Sequence, residues 1–145
     1  MRERETGTVE RAALLHDIGK LAIPRAILEK PGPLSAQEWE VVRRHPVLGE
    51  AVVHALSPDA EVERLVRHHH ERWDGRGYPD GLAGERIPLG ARVIAACDAF
   101  DAMTSTRAYR PARATVPALA EIARGAGSQF DAAAAAALVM AVDGA

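Results

Sequence analysis

Three of the chain's six histidines stand side by side, His68, His69 and His70, within the stretch HHHERWDGRGYP. Imidazoles bind metals and carry protons near neutral pH. Neighbouring helix positions diverge by about 100°, so three consecutive rings cannot all face one point. Two of them can flank one pocket, each addressing a different ion, and two metals about 3.5–4 Å apart suit that arrangement. The competing reading is a solvated polar helix end. His68 is assigned to that surface role. His54 is too, since it follows Glu50 by four residues as a solvent-facing pair.

Further ligand types occur along the chain. His16 falls on an apolar stripe and Asp17 follows it directly, in HDIGK. A buried carboxylate is costly unless paired or metal-bound, although a satisfied core histidine and a helix-end aspartate would explain this pair taken alone. His45 in RHP sits at a helix end, where a capping role is an equal explanation. Asp98 and Asp101 lie three apart in an otherwise apolar segment, on one helix face. Two desolvated like charges repel, and a nearby cation relieves that cost. Pairing to arginines is the alternative, and Cys97 beside them reads as a small core residue. His16, Asp17, His45, His69, His70 and Asp98 therefore form a candidate nitrogen-and-oxygen ligand set. Without thiolates, such a set suits Fe, Mn, Zn or Ni. Lys20 one turn beyond Asp17, with Arg107 and Arg110 after the Asp98 segment, adds cations suited to a phosphate-bearing substrate.

Helices must position these residues. Val9, Ala12, Ala13 and His16 follow the i, i+3, i+4, i+7 pattern, and Gly19 is a C-terminal stop. Pro24 opens a short helix through Glu29. Ser35 and Glu38 form a capping box for a helix to about Arg44. Pro46 interrupts, a helix resumes through Leu56, and SPD at 57–59 starts another to roughly Glu71. Residues 73–87, rich in glycine, form a long loop of the kind that is often functional. Pro88 begins an apolar helix to about Thr104, and two more follow near 115–125 and 131–143. No convincing alternating strand appears. The expected fold is all-α, a compact helical bundle without significant sheet.

Composition narrows the function classes. The 145 residues predict one domain spanning 1–145, with a core of small and aliphatic residues, since only 4% are aromatic. A net charge of −2 argues against a protein that coats nucleic acid, so no DNA partner is expected. The longest apolar run, residues 132–142, is too short to cross a bilayer, and no membrane partner is expected. One cysteine permits no internal disulfide and fits a reducing cytoplasm.

Taken together, HDIGK at 16–20, HPVLG at 45–49, HHERWDGRGYP at 69–79, DAFDAMTSTRAYR at 98–110 and GSQFD at 127–131 resemble the HD-GYP family, a branch of the HD-domain metal-dependent phosphohydrolases. The motifs occur in the family's order and cover nearly the whole chain. The resemblance implies a helical fold of the HD-domain type around two or three divalent transition-metal ions, Fe or Mn ahead of Zn or Ni. It implies hydrolysis of cyclic di-GMP to pGpG and onward to GMP. It makes His16, Asp17, His45, His69, His70 and Asp98 metal ligands, with Asp17 bridging two ions. It makes Lys20 a phosphate-binding or catalytic helper, and Arg107 and Arg110 phosphate contacts. Gly77, Tyr78 and Pro79 form the naming loop, with Tyr78 beside the substrate. In such a site the ions lower the pKa of water and the cations stabilise charge building on phosphoryl oxygens.

One departure stands out. The family usually carries a further histidine on a helix upstream of the HD pair, and none of the fifteen residues before His16 is histidine. Either the chain is a fragment, or the protein lacks that ligand and the helix that carries it. An open apolar seam would then favour a homodimer or a partner. This sustains an alternative function: a catalytically impaired HD-GYP module that binds a nucleotide or a signalling protein such as a diguanylate cyclase (GGDEF-type) domain. A phosphohydrolase acting on another nucleotide is a third reading, disfavoured by the GYP loop.

Overall fold

A computed structural model describes residues 3–106 and 112–144 of the chain. Among the described residues the regular elements are eight α-helices, α1 (Glu3–Leu15), α2 (Arg25–Leu28), α3 (Ala36–Val42), α4 (His45–Leu56), α5 (Ala60–His68), α6 (Leu89–Thr104), α7 (Thr115–Gly125) and α8 (Ala132–Asp143). Short 3₁₀ turns occupy Ile18–Ala22 and Gly84–Arg86. Among the described residues the one β feature is an isolated bridge between Ala126 and Phe130. The fold is all-α, as the helical periodicity predicts. None of the described helices is long and apolar enough to cross a membrane. The chain divides into two compact units, one of residues 1–70 with 78–80, the other of residues 71–77 with 81–145.

The first unit packs α1 and α4 on α5, and sets the 3₁₀ turn 18–22 against α4. Its buried apolar residues are Ala12, Ile23, Val53, Val62, Leu65 and Val66. Local signals set the helix ends. Ser35 and Glu38 form the predicted capping box: Ser35 Oγ accepts from the Glu38 N–H and the Ser35 N–H donates to Glu38 Oε2. Asp59 caps α5 by accepting from the Glu61 and Val62 amides.

Several boundaries differ from expectation. The first helix stops at Leu15, so His16 and Asp17 occupy a turn instead of the helix interior. Pro46 does not interrupt a helix but stands in the first turn of α4, where its missing N–H would be unbonded anyway. The fifth helix ends at His68, three residues early. His54 pairs with Glu63 at 3.2 Å and not with Glu50, whose carboxylate bonds Arg67 at 2.6 Å.

Gly19 governs how closely the 3₁₀ turn can approach α4. A Cβ there would lie 2.0 Å from the His45 carbonyl oxygen and 2.5 Å from the Gly49 nitrogen. Gly49 is less tight but also close: its Cβ would meet the Val66 side chain at Cγ1, 2.9 Å away. Two glycines thus let backbone lie on backbone, which brings the turn carrying Asp17 and Lys20 against the start of α4, where His45 stands.

The second unit is built around Ala96, Ile122, Phe130 and Ala135, with Phe100, Met103 and Leu138 against them. Burying Phe130, 5% exposed, contributes roughly 2–3 kcal/mol. Asp131 caps α8 through the Ala133 and Ala134 amides and accepts from Arg92 at 3.1 Å. Arg92 also donates to the Ile87 and Glu85 carbonyls and lies over the Trp73 ring. These bonds fix the long loop that the glycine content predicts. Cys97 is exposed on α6 and is not a core residue.

Since the clash at Gly19 is with backbone, no rotamer change relieves it. Gly19→Ala is expected to lower the stability of the protein by about 3 kcal/mol. Chemical denaturation of the two proteins checks this, and an equal midpoint would contradict the close-approach account.

Candidate metal centre

Three histidines of the first unit share one device. His16 Nδ1 lies 2.7 Å from the Ala13 carbonyl oxygen, His45 Nδ1 2.8 Å from that of Val42, and His69 Nδ1 2.7 Å from that of Val66. A carbonyl can only accept, so in each neutral ring the proton resides on Nδ1 and the lone pair on Nε2. Histidines that ligate metals are held in this way, with the non-ligating nitrogen donating to a carbonyl or carboxylate.

The Nε2 atoms then converge. Those of His45 and His69 lie 3.3 Å apart. Asp17 Oδ1 stands 3.4 Å from His45 Nε2, and Asp17 Oδ2 3.6 Å from His16 Nε2. Burial pushes the His69 imidazolium pKa down to about 4, and it lowers that of His45 as well, so both rings are neutral at pH 7. Asp17 Oδ1 is itself buried and has no hydrogen-bond partner among the described residues. Asp17, His45, His69 and His70 each offer a ligand atom, and all four atoms lie within 4.8 Å of one another. Inward lone pairs with no proton between them repel, and a cation is what such a pocket accommodates. The donor set, imidazole nitrogen and carboxylate oxygen without thiolate, fits a divalent transition ion.

His16 borders this group, its ring 5.1 Å from that of His69. Lys20 Nζ donates to Asp17 Oδ2 at 2.6 Å, which places its ammonium at the rim. His69 and His70 do not need separate ions to face inward. The helix ends at His68, the next two residues turn, and the two rings lie 4.1 Å apart. His68 points elsewhere: its Nε2 lies 2.9 Å from Asp80 Oδ2.

Tyr78 packs on His70 with ring centroids 4.9 Å apart, and the Arg43 guanidinium lies 5.5 Å from the centroid of the Tyr78 ring. Arg67 grips Asp80 with two bonds, of 2.7 and 2.9 Å, and this holds the Asp80 carboxyl down at about 2. Neither Arg43 nor the Arg67–Asp80 pair stood out in the sequence. Thirteen residues separate Arg67 from Asp80, and only a chain reversal at the loop brings them together.

The remaining candidates belong to the second unit. Asp98 lies on α6. Asp101 is exposed and accepts from the Ser105 hydroxyl, so it is a local helix-end partner and not half of a buried acidic pair. Arg107 and Arg110 lie outside the described residues.

The chain has recognisable relatives. A family model described as "HD domain" matches residues 1–134. The response regulator RpfG of Xanthomonas campestris, a cyclic di-GMP phosphodiesterase, is 47% identical over 131 residues, which are 89% of this chain and 35% of the relative. A cyclic di-GMP phosphodiesterase of Pseudomonas aeruginosa is 51% identical over 108 residues, 74% of this chain and 25% of that protein. The chain thus spans about a third or less of the length of these relatives. Among solved structures, an HDG"Y"P protein from Bdellovibrio bacteriovorus superposes with a TM-score of 0.76 at 19% identity, over 99% of this chain and 45% of the other. A cyclic GMP-AMP phosphodiesterase from Vibrio cholerae gives 0.73 at 20% identity, over 99% of this chain and 39% of the other. These two likenesses concern the fold. The chain is a member of the HD domain family, of the HD-GYP kind that its motifs resemble.

Proposed function

We propose that this chain is the catalytic domain of a metal-dependent phosphodiesterase that hydrolyses cyclic di-GMP to pGpG and GMP. The observation that carries the reading is the convergence of Asp17, His45, His69 and His70 within 4.8 Å, with two imidazole lone pairs facing each other at 3.3 Å. Relatives at 47% and 51% identity bear the name cyclic di-GMP phosphodiesterase, which supports this substrate.

Asp17, His45, His69 and His70 hold the ion, and His16 at their border is a further ligand for a second. Fe or Mn is the preferred identity, in a centre of two or three ions, with Zn or Ni as alternatives. Bound there, divalent ions lower the pKa of water and polarise phosphoryl oxygens. The chain's own contribution is preorganisation. Backbone carbonyls fix the ring tautomers before any ligand arrives, so no proton need leave Nε2. Asp17 holds the Lys20 ammonium at the rim of the site, where it meets a phosphate as a compact point charge. Tyr78 and its Arg43 neighbour form a polarised aromatic wall beside His70. The ligand role of Asp98 and the phosphate contacts of Arg107 and Arg110 rest on their spacing in the sequence and on the family resemblance. A diguanylate cyclase (GGDEF-type) domain as protein partner rests on the family resemblance, and a second copy rests on the expected open apolar seam. The cytoplasmic assignment rests on the single cysteine.

Elemental analysis of the purified protein tests the site. Transition metal at one or more ions per chain, together with release of pGpG or GMP from cyclic di-GMP, is the expected result. Protein that takes up no metal even when supplied with Mn or Fe would favour the non-catalytic binding module. Asp17→Ala removes the carboxylate shared by the cluster and Lys20. Its metal content is expected to fall, and its turnover to drop about a thousandfold or more. Wild-type turnover in that variant would exclude Asp17 as a ligand.

The buried rings also predict a pH signature for the metal-free protein. His69 titrates near 4 when folded, against an ordinary value of 6.5. Between those values the unfolded chain binds more protons than the folded one. Stability is therefore full above about pH 6.5 and declines toward pH 4, by roughly 3 kcal/mol for His69. Thermal denaturation of chelator-treated protein across that range measures it. A flat or rising profile on acidification would contradict neutral, buried histidines.

A further inference from the structure

We infer that Arg67 and Asp80 are positioning residues of the metal centre, a clamp that sets the orientation of His70 by way of Tyr78. The inference rests on the proposed reading of Asp17, His45, His69 and His70 as metal ligands, and it concerns residues to which neither the motifs nor the comparisons assign a role.

His70 stands beyond the last residue of α5, so helical geometry does not dictate where its ring points. Among the described residues, its ring packs against His45, His69 and Tyr78. Tyr78 is a contact that comes from outside the histidine cluster. The 78–80 segment is tied back at one end to the turn that follows α5 and at the other to α5 itself. At one end the Tyr78 N–H donates to the His70 carbonyl at 3.2 Å. At the other, Asp80 receives Arg67 Nε at 2.7 Å and Arg67 Nη2 at 2.9 Å, a two-bond fork on one carboxylate.

Two further groups complete the clamp. His68 Nε2 lies 2.9 Å from Asp80 Oδ2, while its Nδ1 lies 2.7 Å from the Arg64 carbonyl oxygen. Arg67 Nη1 donates to Glu50 Oε2 at 2.6 Å. One guanidinium therefore joins α4, α5 and the 78–80 segment, and does so two residues before the ligand His69. This also accounts for the first of the three consecutive histidines: His68 serves the clamp while its neighbours serve the cluster.

Arg67 and Asp80 are each about a third exposed. Ion pairs in that setting contribute little to global stability. Their effect on the ring they orient is another matter, since loss of a group that holds a ligand in place typically weakens metal binding 10- to 100-fold. The clamp is thus separable from the fold by experiment.

The test uses Co(II) ions as the probe, with wild-type protein, Asp80→Asn and Arg67→Lys. Asp80→Asn keeps the shape and removes the charge. Arg67→Lys keeps the charge and removes the fork, and it covers the case in which Asp80→Asn does not fold. Affinity is read by competition with a chelator, ligand geometry from the visible spectrum of the Co(II) form, and fold integrity from the melting temperature of the metal-free protein. The expected result is about a tenfold or greater loss of Co(II) affinity in each folded variant, with an altered spectrum and a metal-free melting temperature close to wild type. Variants that bind Co(II) as tightly as wild type with the same spectrum would overturn the clamp. So would variants that lose only metal-free stability. Failure of the wild-type protein to bind Co(II), Mn(II) or Fe(II) would overturn the ligand reading and the clamp with it. Tight wild-type binding with unaltered variants removes the clamp alone.

Discussion

A backbone carbonyl three residues upstream of a histidine decides the chemistry of this protein. At His16, His45 and His69 that carbonyl takes the Nδ1 proton and leaves Nε2 with a lone pair aimed inward. Two such lone pairs 3.3 Å apart, with a buried carboxylate oxygen at 3.4 Å, cannot satisfy one another. Protonation would resolve the conflict in water. Burial disfavours the imidazolium at His45 and His69, so the lone pairs of both rings stay open to a cation at neutral pH. The arrangement carries an electrostatic cost in the folded protein, and local strain of this kind is characteristic of functional sites.

The rest of the first unit can be understood as what holds those atoms together. Gly19 and Gly49 remove the side chains that would separate the 3₁₀ turn from α4 and α4 from α5. Ending α1 at Leu15 releases His16 and Asp17 from helical spacing. Ending α5 at His68 does the same for His69 and His70. The ligands thus come from helix termini and turns, where consecutive residues can face one point, and the helices behind them supply rigidity. The Arg67–Asp80 fork extends this logic to the GYP segment, which the chain folds back onto the end of α5.

Much of this could be read from the residues alone. Helical periodicity, the Ser35–Glu38 capping box and the glycine-rich stretch after His70 specify an all-α chain with a long ordered loop. The candidate ligand residues could be picked out because imidazoles and carboxylates next to apolar stripes need an explanation. What the sequence did not reveal was where helices stop. The helix that leads into the histidines stops three residues before the expected bound, so His69 and His70 occupy a turn, and composition does not encode that stop. Asp101 misled for a related reason: spacing placed it on the face of Asp98, whereas its carboxylate is exposed and meets Ser105 at the helix end. The long-range pair of Arg67 and Asp80 was invisible because no periodicity joins residues across a loop.

The central claim is that imidazole nitrogens of the first unit coordinate a divalent ion. X-ray absorption at the metal edge of the Mn- or Fe-loaded protein tests it most directly. The account predicts a first shell of nitrogen and oxygen with the outer-shell scattering characteristic of two or more imidazoles, diminished when His69 is replaced by alanine. A shell of oxygen alone, or an imidazole signature untouched by that replacement, would contradict it.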